Sequence, residues 1–350
     1  MIFTDEKLAA LLPQLRAAKW IALDTEADSL HAYPEKLCLL QVSVEGEDAL
    51  LDPLSAMNLA PALEIFHDHE LIFHAADYDL RLMRKAWGFR PTSIFDTMIG
   101  SRLLGYHEFG LGNLVERCLG VKLEKGPQKA DWARRPLTER MEIYARNDTR
   151  YLKPLADILR KELEEKGRLA WHQESCARLI ADCSIVREPD PNEVWRVKGC
   201  HVLVPSELAV LRELWHWREE EATLANKPPF FILSPETMVG LSQAAVLQRD
   251  CEPLLPRRFS PRRVGGVLRA IEHGLKSPDK PQRPRISHDR PTEAERQRFR
   301  DLEKHRDQHA TELVIDPTII ASRATLLALA RNGAVEGEVN LMKWQQALLK

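Results

Sequence analysis

The sequence predicts a mixed α/β domain in the first half of the chain and all-helical structure in the second half. In the first half, short apolar runs alternate with segments of helical periodicity, which is the pattern of a sheet covered by helices. Strand signals fade from about residue 111 onward, and proline-rich breaks then separate helical segments. We therefore expect one α/β domain followed by one or more helical bundles.

Five apolar segments are predicted to form the strands of the sheet. The first, Lys19 to Glu26, contains residues that are apolar on both faces, as expected of a central strand covered on both sides. The other four predicted strands are Leu37 to Val44, Ala49 to Leu51, Leu71 to Ala75 and Ile94 to Phe95. Three strands in quick succession, followed by alternating helices and strands, predict a mixed sheet.

The second half is predicted to be helical. Thr138 to Lys166 has strong helical character, and Pro154 should interrupt this helix near its middle. Ser206 is the predicted N-cap of a long helix over Glu207 to Ala225. Further helices are expected at Pro235 to Leu241, at Gln243 to Arg249, at Pro261 to Gly274 and from Thr292 to the end.

Breaks between these elements divide the chain into five predicted segments. Two prolines between Arg187 and Asn192 end a helical connector, and four prolines within residues 277–291 indicate a linker. We predict an α/β domain over residues 1–170, the connector over 171–200, a helical bundle over 201–276, the linker over 277–291, and a last helical unit over 292–350.

Composition and charge narrow the possible classes of protein. With 44% hydrophobic and 29% charged residues, the chain is typical of a globular protein. Its net charge of −2 means that a nucleic-acid partner would have to be held by a local basic surface or through metal ions. The six cysteines form no Cys-x-x-Cys pair, and no stretch approaches the ~20 apolar residues of a membrane span. We expect a cytoplasmic protein with reduced thiols, no signal peptide and no membrane segment.

Two carboxylates end the first predicted strand. Asp24 and Glu26 are two residues apart, so both side chains project from the same face of the sheet. Burying them is costly unless a partner compensates their charge, and ligands of open α/β sheets collect at the carboxyl ends of strands. The alternative is a solvated pair at a strand end, which needs no ligand.

Two further groups of polar residues lie on predicted helices. Asp77 and Asp79 stand where a strand passes into a helix; a helix cap explains Asp77, whereas Asp79 needs another role. Tyr144 and Asp148 are four residues apart in the long helix and therefore share one of its faces. Taken alone, each group has a structural explanation, namely a surface aspartate and a tyrosine–aspartate hydrogen bond.

Taken together, these residues resemble the three exonuclease motifs of the DEDD superfamily. Asp24-x-Glu26, Asp79 and Tyr144-x-x-x-Asp148 lie in turn on a strand, a helix start and a helix, and the tyrosine resembles that of the tyrosine-bearing branch. Similarity to the ribonuclease D family is carried by Phe95-Asp96-Thr97, by Asp131 to Leu137 and by the Tyr144 helix. The resemblance covers about the first 170 residues and implies an RNase H-like fold with 3′→5′ exonuclease activity.

The resemblance also implies a role for each of the five residues. Carboxylates brought together repel one another, and divalent cations reverse that penalty because hard cations prefer oxygen ligands. We expect two ions, Mg²⁺ or Mn²⁺, about 3.5–4 Å apart. Asp24, Glu26 and Asp148 are assigned to the ion on the nucleophile side, and Asp24 bridges to the second ion with help from Asp79. Because a phenol titrates near pH ~10, Tyr144 is expected to orient the attacking water and not to act as a base.

Residues 201–276 resemble the helicase-and-RNase-D C-terminal (HRDC) module, a helical bundle associated with nucleic-acid binding. The segments that carry this resemblance are Glu207 to Trp215, Pro228-Pro229-Phe230 and Leu233-Ser234. The unit over 292–350 resembles a diverged second copy. Core packing is the first explanation, and base stacking the alternative, for the aromatic residues Trp215, Trp217, Phe230 and Phe231.

Basic residues are concentrated between residues 255 and 290, where only Glu272, Asp279 and Asp289 oppose them. Such a strip can follow the phosphates of a nucleic acid, and a solvated linker is the alternative. Its members are Arg257, Arg258, Arg262, Arg263, Arg269, Lys276, Lys280, Arg283, Arg285 and Arg290.

The family resemblance, together with the carboxylates that carry it, implies a 3′→5′ exoribonuclease that releases nucleoside 5′-monophosphates. We expect a monomer that acts on RNA with a 3′ end, in transfer RNA precursors or other small structured RNAs. One alternative is a DNA exonuclease of the same superfamily, because contacts with the ribose 2′-OH cannot be located from the sequence. The other is a catalytically silent nucleic-acid binder, although a decayed member need not retain all five residues.

Overall fold

The chain forms two compact units, each discontinuous in sequence. The structure is a computed structural model that describes residues 1–186, 188–282, 291–332 and 340–349. The first unit contains Met1–Ala27, Leu37–Ile185 and Asp289–Lys350. The second unit contains Asp28–Lys36 and Val186–His288.

Sixteen α-helices and five strands are defined over the described residues. The strands are β1 Ile21–Ala27, β2 Leu37–Val44, β3 Glu47–Leu51, β4 Glu70–Phe73 and β5 Ser93–Asp96. The helices are α1 Asp5–Ala17, α2 Ala60–His67, α3 Asp77–Trp87, α4 Thr97–Leu103, α5 Leu111–Leu119, α6 Glu139–Arg150, α7 Leu152–Glu165, α8 Leu169–Ser184, α9 Pro205–Ala225, α10 Pro229–Ile232, α11 Pro235–Val246, α12 Pro261–Lys276, α13 Glu293–Leu313, α14 Pro317–Ile320, α15 Arg323–Asn332 and α16 Lys343–Leu349. Short 3₁₀ turns lie at Cys200–Val202 and Glu252–Leu254.

The five strands form one mixed sheet in the order β3-β2-β1-β4-β5. β1 pairs antiparallel with β2 and parallel with β4. Both the mixed sheet and the helical second half predicted from the sequence are confirmed. β1 is central, and its alternate side chains enter different layers: Ile21 and Leu23 face one hydrophobic core, whereas Ala22 faces the other. Asp24 therefore continues the Ala22 face.

The long helix predicted over Thr138 to Lys166 is interrupted, as expected, but the break falls at Tyr151, between α6 and α7. Pro154 occupies the first turn of α7, where the backbone N–H that proline lacks would have no partner within the helix. The interruption separates α6, which faces the end of β1, from α7, whose apolar side chains fill the core.

The prediction of two helices over Pro235 to Leu241 and Gln243 to Arg249 is wrong, because one helix, α11, covers Pro235–Val246. Ser242 does not break it. Its hydroxyl is buried and donates to the Met238 carbonyl at 2.8 Å, so its polar group is satisfied within the helix. Among the described residues, no helix combines the length and apolar content needed to cross a bilayer.

The last helices pack within the first unit. The Arg168 guanidinium donates to the Leu103 carbonyl at 2.7 Å and to the Leu313 carbonyl at 2.8 Å, which joins α4 to the end of α13. Gly105 has a φ of +87°, and a Cβ added there would lie 2.0 Å from the Val314 carbonyl oxygen. The last helical unit and the α/β domain thus share a core, while the predicted segment bounds remain predictions.

Candidate active site

Three carboxylates from two elements converge in the first unit. Asp24 and Glu26 lie on one face of β1, and Asp148 lies on α6, which packs on β1, β2 and β3. One oxygen from each carboxylate can be chosen so that all three lie within 4.8 Å of one another. Asp148 Oδ2 is buried and has no hydrogen-bond partner among the described residues. A divalent cation would satisfy such a group.

Hydrogen bonds to the β2–β3 hairpin hold α6 in place. The hydroxyls of Ser43 on β2 and Thr149 on α6 are buried and lie 2.7 Å apart. The Asp48 carboxylate accepts from Ser43 Oγ and from Arg150 Nε, both at 2.6 Å. Because Thr149 and Arg150 directly follow Asp148 in the chain, these contacts fix where Asp148 meets the sheet.

Asp79 approaches the same site from α3. Its side chain is buried, and its Oδ1 accepts from Thr25 Oγ1 at 2.6 Å. Asp79 is not one of the three residues whose oxygens lie within 4.8 Å of one another. After burial, however, its negative charge contributes to raising the pKa values of Asp24, Glu26 and Asp148. Asp79 is therefore part of the site electrostatically.

The turn before α3 is held by Asp96 at the end of β5. The buried Asp96 carboxylate accepts from the backbone N–H groups of Ala75 and Ala76 at 3.2 and 2.8 Å, and it also caps α4. Ala75 has a φ of +62°, in the left-handed region, which a residue with a side chain rarely adopts. Asp96 thus holds a strained turn that sets the position of Asp79.

Tyr144 lies one helical turn before Asp148, and its phenol favours the ionised form of the Asp148 carboxyl, which limits the rise in the pKa of Asp148. Gln128, in the loop before α6, lines the same cavity as Tyr144. Burial and then the negative charge of Asp148 raise the pKa of Tyr144, so the phenol stays protonated. The Tyr144 ring lies 6.0 Å from Trp132, centroid to centroid. A Cβ added to Gly126 would lie 1.6 Å from the ring, so the Gly126 backbone rests directly against it.

The carboxyl groups of this site resist ionisation. Burial, followed by the charges of Asp148 and Asp79, raises the pKa of Glu26 to about 9. Burial raises the pKa of Asp148 to about 7 and that of Asp79 to about 6. Burial and then the other three carboxylates hold the pKa of Asp24 well above its ordinary range. Without cations, the four groups cannot all be ionised at neutral pH.

A cavity of about 270 Å³ opens beside Tyr144 and Asp148. Three side-chain amides line it, from Asn113, Gln128 and Asn147, together with backbone of the loops before α5 and α6. A larger groove of about 990 Å³ runs along α2 and the loop before β5, but none of the five predicted site residues lines it. The smaller cavity is therefore placed to hold a molecule that reaches the carboxylates, whereas the larger groove is not.

Three residues around the site were not identified from the sequence, namely Gln41, Gln128 and Gly126. Gln41 on β2 pairs with Asp24 on β1 and donates to its carboxylate. An amide inside an otherwise apolar strand was an available signal for Gln41. Gln128 and Gly126 lie in a loop without periodicity, so nothing in the sequence pattern distinguished them.

The second unit partly neutralises the predicted basic strip. Glu221 is buried and pairs with both Arg262 and Arg263, and Lys276 pairs with Glu272. Other members, Arg283, Arg285 and Arg290, lie outside the described residues. Among the aromatic residues, Trp215 and Trp217 pack against the core of this unit, whereas Phe230 and Phe231 are about half exposed and contact each other at 4.6 Å between ring centroids.

Family comparisons match both halves of the chain. A family described as "3'-5' exonuclease" matches residues 1–164, and one described as "HRDC domain" matches residues 207–245. A solved structure of Escherichia coli RNase D, described as "an exoribonuclease involved in structured RNA processing", is 26% identical and covers 99% of this chain and 95% of that chain, with a TM-score of 0.75. A Bifidobacterium adolescentis protein of the same fold, 22% identical, covers 100% of this chain and 94% of that chain, with a TM-score of 0.84.

Curated relatives carry the same name. Ribonuclease D of Zymomonas mobilis is 36% identical over 251 residues, which are 69% of this chain and 63% of that protein. Ribonuclease D of Gluconacetobacter diazotrophicus is 31% identical over 289 residues, which are 80% of this chain and 72% of that protein. The first match thus spans less than two thirds of the relative's length. The resemblance stated from the sequence is confirmed, and the chain belongs to the ribonuclease D family.

Proposed function

We propose that this chain is a metal-dependent 3′→5′ exoribonuclease that hydrolyses the terminal phosphodiester of RNA and releases nucleoside 5′-monophosphates. The observation that carries the proposal is the convergence of Asp24, Glu26 and Asp148, whose oxygens lie within 4.8 Å of one another. Membership of the ribonuclease D family supports it independently. Divalent metal use is a property of this exonuclease superfamily, and the acidic cluster is the corresponding feature of this chain.

The residues of the site fit two divalent ions, Mg²⁺ or Mn²⁺. Asp24, Glu26 and Asp148 would hold the first ion, and the unpartnered Asp148 Oδ2 is an acceptor that needs such a partner. Asp24 would also serve the second ion, with Asp79 behind it. When bound, these ions supply Lewis acidity to the attacking water and the leaving oxygen.

Tyr144 and the adjacent cavity would position the substrate and the water. The Tyr144 phenol is neutral, and it lines the same cavity as Gln128 and Asp148, so it can orient a water molecule but is a poor base. The cavity of about 270 Å³ offers amide donors and acceptors for a terminal nucleotide. RNA 3′ ends of transfer RNA precursors or other small structured RNAs are the proposed substrates, in line with the description of the Escherichia coli relative. We propose that the protein acts as a monomer.

Two other functions remain candidates for test. A DNA exonuclease of the same superfamily would use the same carboxylates and would differ only in its contacts with the sugar of the substrate. A catalytically silent nucleic-acid binder would have no need of the crowded carboxyl groups, whose burial opposes their ionisation. That electrostatic cost favours an enzyme.

Asp24→Asn is expected to lower the rate of RNA hydrolysis by about 10³-fold or more, because it removes the carboxylate that serves both ions. The fold should persist, since one of four repelling charges is removed. Released nucleotide and the thermal unfolding midpoint are measured in parallel. Asp157→Asn, at an exposed aspartate of α7 paired with Lys153, is the control and should retain activity. Full activity of Asp24→Asn would remove Asp24 from the mechanism.

RNA and DNA oligonucleotides of matched sequence separate the exoribonuclease from its DNA-specific rival. We expect the 5′-labelled RNA to shorten stepwise from its 3′ end, roughly 10-fold or more faster than the DNA, because a site that binds the 2′-OH rejects an analogue without it. Preferential digestion of DNA would support the rival. A lack of nucleotide release from either, with both Mg²⁺ and Mn²⁺ tested, would support the silent binder.

Stability of the metal-free protein should depend on pH through the site carboxyls. Their folded pKa values, about 9 for Glu26, 7 for Asp148 and 6 for Asp79, exceed the unfolded values near 4. Protonation therefore stabilises the fold at low pH, and this contribution is lost as the pH rises toward 9. Mg²⁺ should raise the unfolding midpoint more at pH 8.5 than at pH 5.5. An equal shift at both, or the same pH dependence in Glu26→Gln, would contradict this linkage.

Gly126→Ala is expected to lower kcat by about 10²-fold, because the new methyl group occupies the position of the Tyr144 ring and displaces its hydroxyl. Tyr144→Phe should show a comparable loss, and the double variant should be no worse than either single variant. Gly100→Ala is the control, since a Cβ there meets its neighbours at an ordinary 3.6 Å. Independent, additive losses would show that Gly126 does not act through Tyr144.

A further inference from the structure

Gln41 is an uncharged polar residue buried in the strand next to the site. It is 0% exposed, and its neighbours Leu40 and Val42 on β2 are apolar and equally buried. The β1–β2 register places Gln41 directly opposite Asp24. Side chains directly opposite each other in an antiparallel pair lie on the same face, so the amide is aimed at the carboxylate cluster.

The contact between the two side chains has a defined polarity. Gln41 Nε2 lies 3.3 Å from Asp24 Oδ2. Only the NH₂ end of the amide can donate to an ionised carboxylate, so Gln41 donates and Asp24 accepts. The other end of the amide, Oε1, is buried and has no hydrogen-bond partner among the described residues. A buried acceptor without a partner is costly, and in a polar site it is commonly satisfied by ordered water.

A purely structural role does not account for this arrangement. An apolar side chain would fill the same space in β2 without the cost of burying an amide. Ser43 lies two residues further along the same face. Its hydroxyl hydrogen-bonds Asp48 and Thr149 and so contributes to the packing of α6. The Gln41 side chain instead donates to Asp24.

We propose that Gln41 is a positioning residue that fixes the rotation of the Asp24 carboxylate and thereby sets the affinity of the site for divalent cations. The N–H donor engages Oδ2 and restricts which way Asp24 presents its oxygens to an ion. Oε1 is left to accept from a water molecule within the site. This inference rests on the proposed function, because it assigns Gln41 a part in the same metal-dependent site.

Gln41→Met tests the inference, because methionine has nearly the same shape and lacks the donor. The Mn²⁺ dissociation constant of the full chain is measured by titration calorimetry, and the unfolding midpoint is measured in EDTA. We expect the dissociation constant to rise about 10-fold or more, as is usual when an outer-shell partner is removed. The metal-free midpoint should change little. The Mn²⁺ concentration that half-saturates RNA hydrolysis should rise by the same factor.

Val42→Ala is the matched control for loosening of the strand, since Val42 is the next residue of β2 and faces the opposite core. It should lower the midpoint and leave Mn²⁺ affinity nearly unchanged. Gln41→Asn, which keeps the amide but cannot reach Asp24, should weaken Mn²⁺ binding like Gln41→Met and serves if that variant folds poorly. Parent-like affinity in both Gln41 variants, or an equal loss in Val42→Ala, would overturn the inference and leave the proposed function standing. A parent chain that binds no Mn²⁺ would overturn both.

Discussion

Repulsion among four carboxylates in one partly buried site is the constraint on which the structure of the first unit depends. Two of the four accept a hydrogen bond from a neighbouring side chain: Gln41 donates to Asp24, and Thr25 donates to Asp79. These donors hold the two carboxylates in place but do not neutralise them, so the pKa values stay raised. The carboxylates are therefore held in position while their negative charges remain uncompensated. Such a site favours the binding of cations.

The elements that carry these residues are secured outside the site itself. Asp48 fixes α6 through Ser43 and Arg150, and Asp96 fixes the turn that leads into α3. Both anchors are aspartates, as are three of the four site carboxylates, but each anchor accepts two or more hydrogen bonds, from a hydroxyl and a guanidinium at Asp48 and from backbone N–H groups at Asp96. Aspartates of this chain therefore serve two different purposes, and what separates them is whether donors surround the carboxylate.

Much of this arrangement was predictable from the sequence, and the remainder depended on contacts between distant segments. Alternating apolar runs identify the strands, and the two-residue and four-residue spacings predict that Asp24 lies near Glu26 and Tyr144 near Asp148. Their spacing could not reveal that α6 sits over the same strand end, and the family resemblance supplied that. The contact of Gln41 with the site depends on the β1–β2 register, which places it opposite Asp24. The importance of Gly126 depends on the Tyr144 ring that lies against its backbone. Likewise, helical periodicity predicts α13 but not which core it completes.

Packing of α13 to α16 within the first unit has a consequence for the order in which parts of the protein can pack during synthesis. The main segment of the second unit, Val186–His288, lies in the chain between the α/β part of the first unit and its last helices, so those helices are synthesised only after it. Arg168 precedes that segment, and its second hydrogen-bond acceptor, the Leu313 carbonyl, lies 145 positions further along the chain. Until residues 293–349 have been synthesised, the apolar side chains of the α/β part that pack against them, among them Leu103 and Leu104, lack those packing partners.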